Sequence, residues 1–218
     1  MKLGFQFMHI AMNRGETFNT LTHLIGAALA IGAAVILIVI ASLQGNPWKI
    51  VSFSIYGVCL FTLYLVSTLY HATRGKTKRV FYVLDHQAIY LLIAGSYTPF
   101  TLVTLQGAWG WSIFGTIWGV AILGFILDAL PSTRKGKRIL PVIIYILMGW
   151  LVLIALKPLL KELPQTGFFW LLLGGLLYTG GVFFYAISNR FVYAHGIWHL
   201  FVLAGSSCHY ISILIYVD

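Results

Sequence analysis

The sequence predicts an all-α membrane protein: a seven-transmembrane-helix bundle with its N-terminus cytoplasmic and its C-terminus outside. Three observations carry this. Apolar stretches of about 20 residues, long enough to cross a bilayer as helices, recur along the whole chain. Only 9% of its 218 residues are charged while 60% are hydrophobic, where a soluble domain carries about 25% charged residues. Lys and Arg also concentrate in alternate connections, the pattern that fixes membrane orientation.

Seven spans follow in order: Thr20–Leu43, Trp48–His71, Phe81–Leu105, Trp109–Asp128, Ile139–Leu156, Phe168–Ile187 and Ala194–Tyr216. Each is far longer than the roughly ten alternating residues of a membrane β-strand, so all are read as helices. Turn signals separate them at Gly45-Asn46-Pro47, Arg74-Gly75, Gln106-Gly107, Pro131-Ser132 and Gln165-Thr166-Gly167. Pro99 falls inside the third span and predicts a kink there. Gly115 with Gly119, Gly26 with Ala30, and Gly174, Gly175 and Gly180 have the spacing of small residues that let helices pack closely within a bundle.

Eleven of the 14 basic residues lie on one side: Lys2, Arg14, Arg74, Lys76, Lys78, Arg79, Arg134, Lys135, Lys137, Arg138 and Arg190. Only Lys49, Lys157 and Lys161 lie on the other. The basic side is cytoplasmic. The chain is then a single domain, residues 1–218, with residues 1–19 as a cytoplasmic tail, and it is expected in the cell inner (plasma) membrane. The +9 net charge is topological and does not point to nucleic acid. Cys59 and Cys208 sit inside apolar segments and read as buried thiols. No small-residue cleavage site follows the first long segment, so no removable signal peptide is expected.

Ionisable residues inside a bilayer are costly and mark function by default. His71 closes the second span, Asp85 opens the third, and His195 and His199 open the seventh. The orientation puts all four at one cytoplasmic depth. His195 and His199, four apart, share a helix face, and His71 from another helix supplies a third imidazole. Three imidazoles with an open position suit Zn2+, which activates a bound water near neutral pH and polarises a carbonyl. Asp85 is placed to hold or deprotonate that water. Ser67, one turn before His71, faces the same way and is placed to hydrogen-bond the water or the substrate. At this depth the expected substrate is a membrane lipid carrying an amide or ester.

The other ionisable residues sort by position. His209 lies about 15 Å along the helix from His199 and cannot share the ion. His86 turns roughly 100° from Asp85 and reads as structural or interfacial. His9 lies in the tail. His23, near Glu16 and Asn19, competes as a ligand or as a hydrogen-bonding group. Asp128 is expected at the interface, meeting the cations Arg134 to Arg138.

The chain resembles the hemolysin III family, the bacterial branch of the progestin and adipoQ receptor superfamily. The resemblance spans nearly the whole chain. It rests on Glu16-Thr17-Phe18-Asn19-Thr20-Leu21-Thr22-His23, Ser67-Thr68-Leu69-Tyr70-His71, Leu84-Asp85-His86, Gly95-Ser96-Tyr97-Thr98-Pro99-Phe100 and His195-Gly196-Ile197-Trp198-His199. It implies zinc on His71, His195 and His199, Asp85 on the zinc-bound water and Ser67 in the same polar centre. Through its similarity to alkaline ceramidases it also implies metal-dependent lipid amide hydrolysis and a role in membrane-lipid homeostasis. Two other classes compete: a non-enzymatic sensor or receptor with structural zinc, and a channel or cytolysin. The second needs polar lining through the full membrane thickness, whereas the ionisable residues here gather at one end.

Overall fold

The computed structural model describes residues 2–130 and 139–218, with side chains from residue 15 onward. The side chains of Lys2, His9 and Arg14, the Pro131-Ser132 turn and the cations Arg134, Lys135, Lys137 and Arg138 lie outside the described residues. Within them the chain folds as α1 (Lys2–Gln44), α2 (Pro47–Ala72), α3 (Gly75–Pro99), α4 (Gly107–Ala129), α5 (Ile139–Gly149), α6 (Leu156–Glu162), α7 (Gln165–Ala186) and α8 (Ala194–Tyr216). Seven segments among the described residues are helices long and apolar enough to cross a membrane. Glu16 and Asn19, which the sequence places in the tail, belong to the same helix α1 as the first span.

Local chemistry explains the boundaries. Asn46 caps α2 by accepting the amides of Trp48 at 3.0 Å and Lys49 at 3.2 Å, with Pro47 in the first helical position. Gly45 takes φ +66° to end α1, a conformation that costs glycine little. At Pro99 the third span widens into a π-helical segment, Phe100–Leu105, that completes its crossing. The hydroxyls of Thr98 and Thr101 donate to the carbonyls of Ala94, Tyr97 and Thr98 around this point, re-satisfying backbone within the membrane. Gly110 follows because a Cβ there would lie 2.2 Å from the Thr101 carbonyl oxygen.

The fifth span departs from the single helix Ile139–Leu156. It is α5, a 3-10 segment at Leu151–Ala155, and then α6. Pro158 has no N–H to bond the preceding turn and disfavours a continuous α-helix through it. The Tyr97 hydroxyl fits the break, accepting the Val152 amide at 2.9 Å and lying 2.9 Å from the Met148 and Gly149 carbonyl oxygens.

The third span is the most enclosed and the fifth the least. α1 packs on α2 and α8, α2 on α3, and α7 on α8, while α5 leans on α3 and α4. Phe53, Tyr56, Leu60, Leu63, Leu92 and Val202 belong to the larger apolar core, and Tyr90, Ala94, Ile117, Ala121 and Met148 to a second. Leu29, Leu43, Leu147, Ile154 and Phe183 face outward, as a lipid-facing surface requires. A Cβ at Gly26 would meet Tyr64 at 2.7 Å, and one at Gly174 would meet His209 at 2.2 Å, so these glycines do allow close packing. Gly115 and Gly119 do not: both face open space. Their side of α4 points out of the bundle, which four-residue spacing alone does not reveal.

Candidate metal centre

Two helices deliver the three histidines to one point. His71 comes from the last turn of α2, and His195 and His199 from the first two turns of α8. One ring nitrogen from each lies within 4.8 Å of the others. Ring centroids are 5.0 Å apart for His71 with either partner and 4.7 Å for His195 with His199. Gly196, between the two α8 histidines, makes this approach to α1 feasible. A Cβ there would lie 2.2 Å from Phe18 Cδ1 and 2.9 Å from Asn19 Oδ1.

Hydrogen bonds indicate which nitrogen His71 and His199 present. His71 Nδ1 lies 2.7 Å from Glu16 Oε2. A carboxylate only accepts, so Nδ1 carries the proton and Nε2 keeps its lone pair. His199 Nδ1 lies 3.1 Å from Thr22 Oγ1 and 3.3 Å from the Asn19 carbonyl. The Thr22 hydroxyl donates to that same carbonyl at 2.9 Å, so Thr22 accepts and His199 Nδ1 donates. The Nε2 atoms of His71, His195 and His199 are all buried without a hydrogen-bond partner. Three clustered imidazoles, each with a buried and unpartnered Nε2, fit a metal ion: buried polar atoms are rarely left orphaned, and metal-bound histidine uses one nitrogen while the other donates outward.

Ser67 is 1% exposed and Asp85 7%, and both line a cavity of about 150 Å³ beside the histidines. His23 and His86 share that wall. His23 is not among the grouped ligands. Its ring stacks on His199, with centroids 3.6 Å apart and planes 18° apart, and neither of its nitrogens has a hydrogen-bond partner. Ser67 Oγ is likewise unpartnered. The remaining wall is largely apolar, with Ile93, Val142, Ile146, Val182 and Val202 from α3, α5, α7 and α8. It continues to His209, whose position about 15 Å beyond His199 along α8 keeps it away from the three clustered histidines. There His209 Nε2 donates to the Leu171 carbonyl at 3.2 Å.

Two other ionisable residues have definite places. His86 lines the same cavity as Asp85, anchored through Nδ1 to the Tyr82 carbonyl at 2.7 Å, so a turn of one residue around α3 leaves it on the cavity side. Asp128 is 2% exposed near the end of α4, and the cations Arg134 to Arg138 it is expected to meet lie outside the described residues. Sequence reasoning also missed what α1 does. Glu16, Asn19 and His23, spaced three and four apart, form one helical face. That spacing was the available signal, and it marks a support for the histidines.

The family model described as "Haemolysin-III related" matches residues 12–210. The chain is 46% identical over 203 residues to Hemolysin-3 of Bacillus cereus, covering 93% of this chain and 91% of that one. It is 44% identical over 202 residues to the Hemolysin-3 homolog of Bacillus subtilis (strain 168), covering 92% and 93%. It is also 29% identical over 205 residues to human monocyte to macrophage differentiation factor, covering 91% and 83%. A multi-pass helical bundle whose three histidines can hold a metal ion, matched along almost its whole length, belongs to the haemolysin-III-related family.

Proposed function

We propose that this protein is a zinc-dependent membrane hydrolase of a lipid amide or ester, with His71, His195 and His199 as ligands, contributing to membrane-lipid homeostasis. The observation that carries the reading is the pairing of three unsatisfied imidazole nitrogens with an adjoining, largely apolar cavity. Three neutral imidazoles suit Zn2+. When bound, zinc supplies Lewis acidity and a water activated near neutral pH.

The chain's own residues do the rest. The apolar wall holds an acyl chain and excludes bulk water, which strengthens every polar interaction at the site. Ser67 Oγ hydrogen-bonds the scissile carbonyl oxygen. Asp85 takes a proton from the attacking water and returns it to the departing amine or alcohol, so one water is consumed and a fatty acid and a free headgroup leave. His23, unpartnered in the same wall, offers a donor and an acceptor to the polar part of the substrate.

The test is turnover of a panel of lipid amides and esters by purified protein, with metal content measured in parallel. Asp85→Asn should keep its metal and lose turnover. His195→Ala/His199→Ala should lose both. If every lipid is untouched by wild-type protein that carries zinc, the hydrolase reading falls and a structural zinc in a sensor remains.

A further inference from the structure

Glu16 Oε2 lies 2.7 Å from Nδ1 of His71, and Glu16 stands on a helix that contributes no ligand. Its two oxygens have separate partners. Oε2 accepts from His71 Nδ1, and Oε1 accepts from Lys78 Nζ at 3.0 Å. Lys78, in the first turn of α3, also lies 4.6 Å over the Tyr70 ring. α1, α2 and α3 are thus tied at the basic end of the bundle by Lys78, Glu16 and His71 in series.

The exposures argue what this series is for. The Glu16 side chain is 41% exposed and Lys78 29%, whereas His71 is 3%. A half-exposed Glu–Lys pair contributes little to stability alone, about 0–1 kcal/mol. A charge-assisted bond to a buried imidazole is different: it selects the tautomer, fixes the ring's rotation and raises the basicity of the opposite nitrogen. Here the opposite nitrogen is the unsatisfied Nε2 facing His195 and His199. Lys78 keeps the carboxylate from rotating away.

We infer that Glu16, held by Lys78, is a positioning residue that presets His71 for metal binding. This rests on the metal-centre reading above and adds a role that reading does not need. Asn19 and Thr22, on the same face of α1, do for His199 by backbone carbonyl and hydroxyl what Glu16 does for His71 by carboxylate. α1 is then the template of the centre.

Zinc affinity, measured by chelator competition on the full chain in detergent, tests this, with the visible bands of the Co2+-loaded protein as a second readout. Glu16→Gln should weaken zinc binding about 10- to 100-fold, the usual cost of losing such an outer partner, and should shift the Co2+ bands. Glu16→Asp should restore part of both. Lys78→Met should weaken binding less, and Glu16→Gln/Lys78→Met should bind no worse than Glu16→Gln alone, since the lysine acts through the carboxylate. Zinc affinity in Glu16→Gln equal to wild type, with unmoved bands, overturns the role of Glu16 and leaves the centre standing. Wild-type protein that takes up neither metal overturns the centre itself and this inference with it.

Discussion

The imidazoles of His23 and His199 stack face to face, 3.6 Å between centroids and 18° between planes. His199 is therefore held on two sides: in its plane by the α1 acceptors at Nδ1, and across its face by His23. The two roles of His23 separate by substitution. His23→Phe keeps a stacked ring and should keep bound metal while lowering turnover of the lipid substrate. His23→Ala opens a void against His199 and should weaken metal binding as well. Metal content and turnover measured on both variants distinguish them; equal metal loss in both would mean that the nitrogens, not the stacking, matter.

Gly196→Ala should damage the centre without touching a ligand. Its methyl would press on Phe18 and Asn19, pushing α8 from α1 and lengthening the Asn19 and Thr22 contacts to His199. Overpacking of this kind costs about 1–3 kcal/mol. The melting temperature should fall and metal occupancy with it. Adding Phe18→Ala should recover part of both by making room.

Removing the metal should reveal the cost of three unsatisfied nitrogens. Wild-type protein treated with a strong chelator should melt lower, and its melting temperature should climb back as free zinc is restored, because a ligand bound only by the native state stabilises it by mass action. His71→Ala should show no such zinc dependence. Elemental analysis beside the thermal scan is the check.

Tyr97→Phe removes the hydroxyl that serves the broken fifth span. The Val152 amide then loses its partner, at a cost of about 1–3 kcal/mol. Faster hydrogen exchange at residues 149–153 should accompany the loss of stability, with metal content unchanged.

The outer end offers a pH test. The buried Lys49 ammonium donates to Gln44 at 2.8 Å and to Asp218. That bond, with the attraction of the same ammonium, holds the Asp218 carboxyl below its ordinary value. A carboxylate whose folded-state pKa is depressed contributes stability above its unfolded pKa and loses that contribution as pH falls through its folded one. Asp218→Asn should therefore melt slightly below wild type at neutral pH, and the gap should close in acid. A gap that persists at low pH would show that the charge of Asp218 is not its cause.

How much of this was legible differs by level. The spans follow from apolar length, and the sharing of one depth by His71, Asp85, His195 and His199 follows from counting basic residues. Spacing also put His195 with His199 and separated His209. The break in the fifth span was less visible: Pro158 marks it, but the Tyr97 hydroxyl that satisfies it comes from another helix. The burial of Asp128 and the outward face of Gly115 and Gly119 were not visible either. In a membrane helix the outward face is as apolar as the inward one, so the hydrophobic pattern that points a soluble helix toward its core is weak.

The sequence by itself determined the seven crossings, the basic end, and the three imidazoles at one depth, because bilayer thickness and the cost of buried charge act on composition and position alone. Only the tertiary structure decided that the imidazoles converge, that their Nε2 atoms are the free ones, and that α1 supports them. Those depend on how far each helix is rotated about its axis, which is set by contacts such as Gly196 against Phe18 and Glu16 against His71.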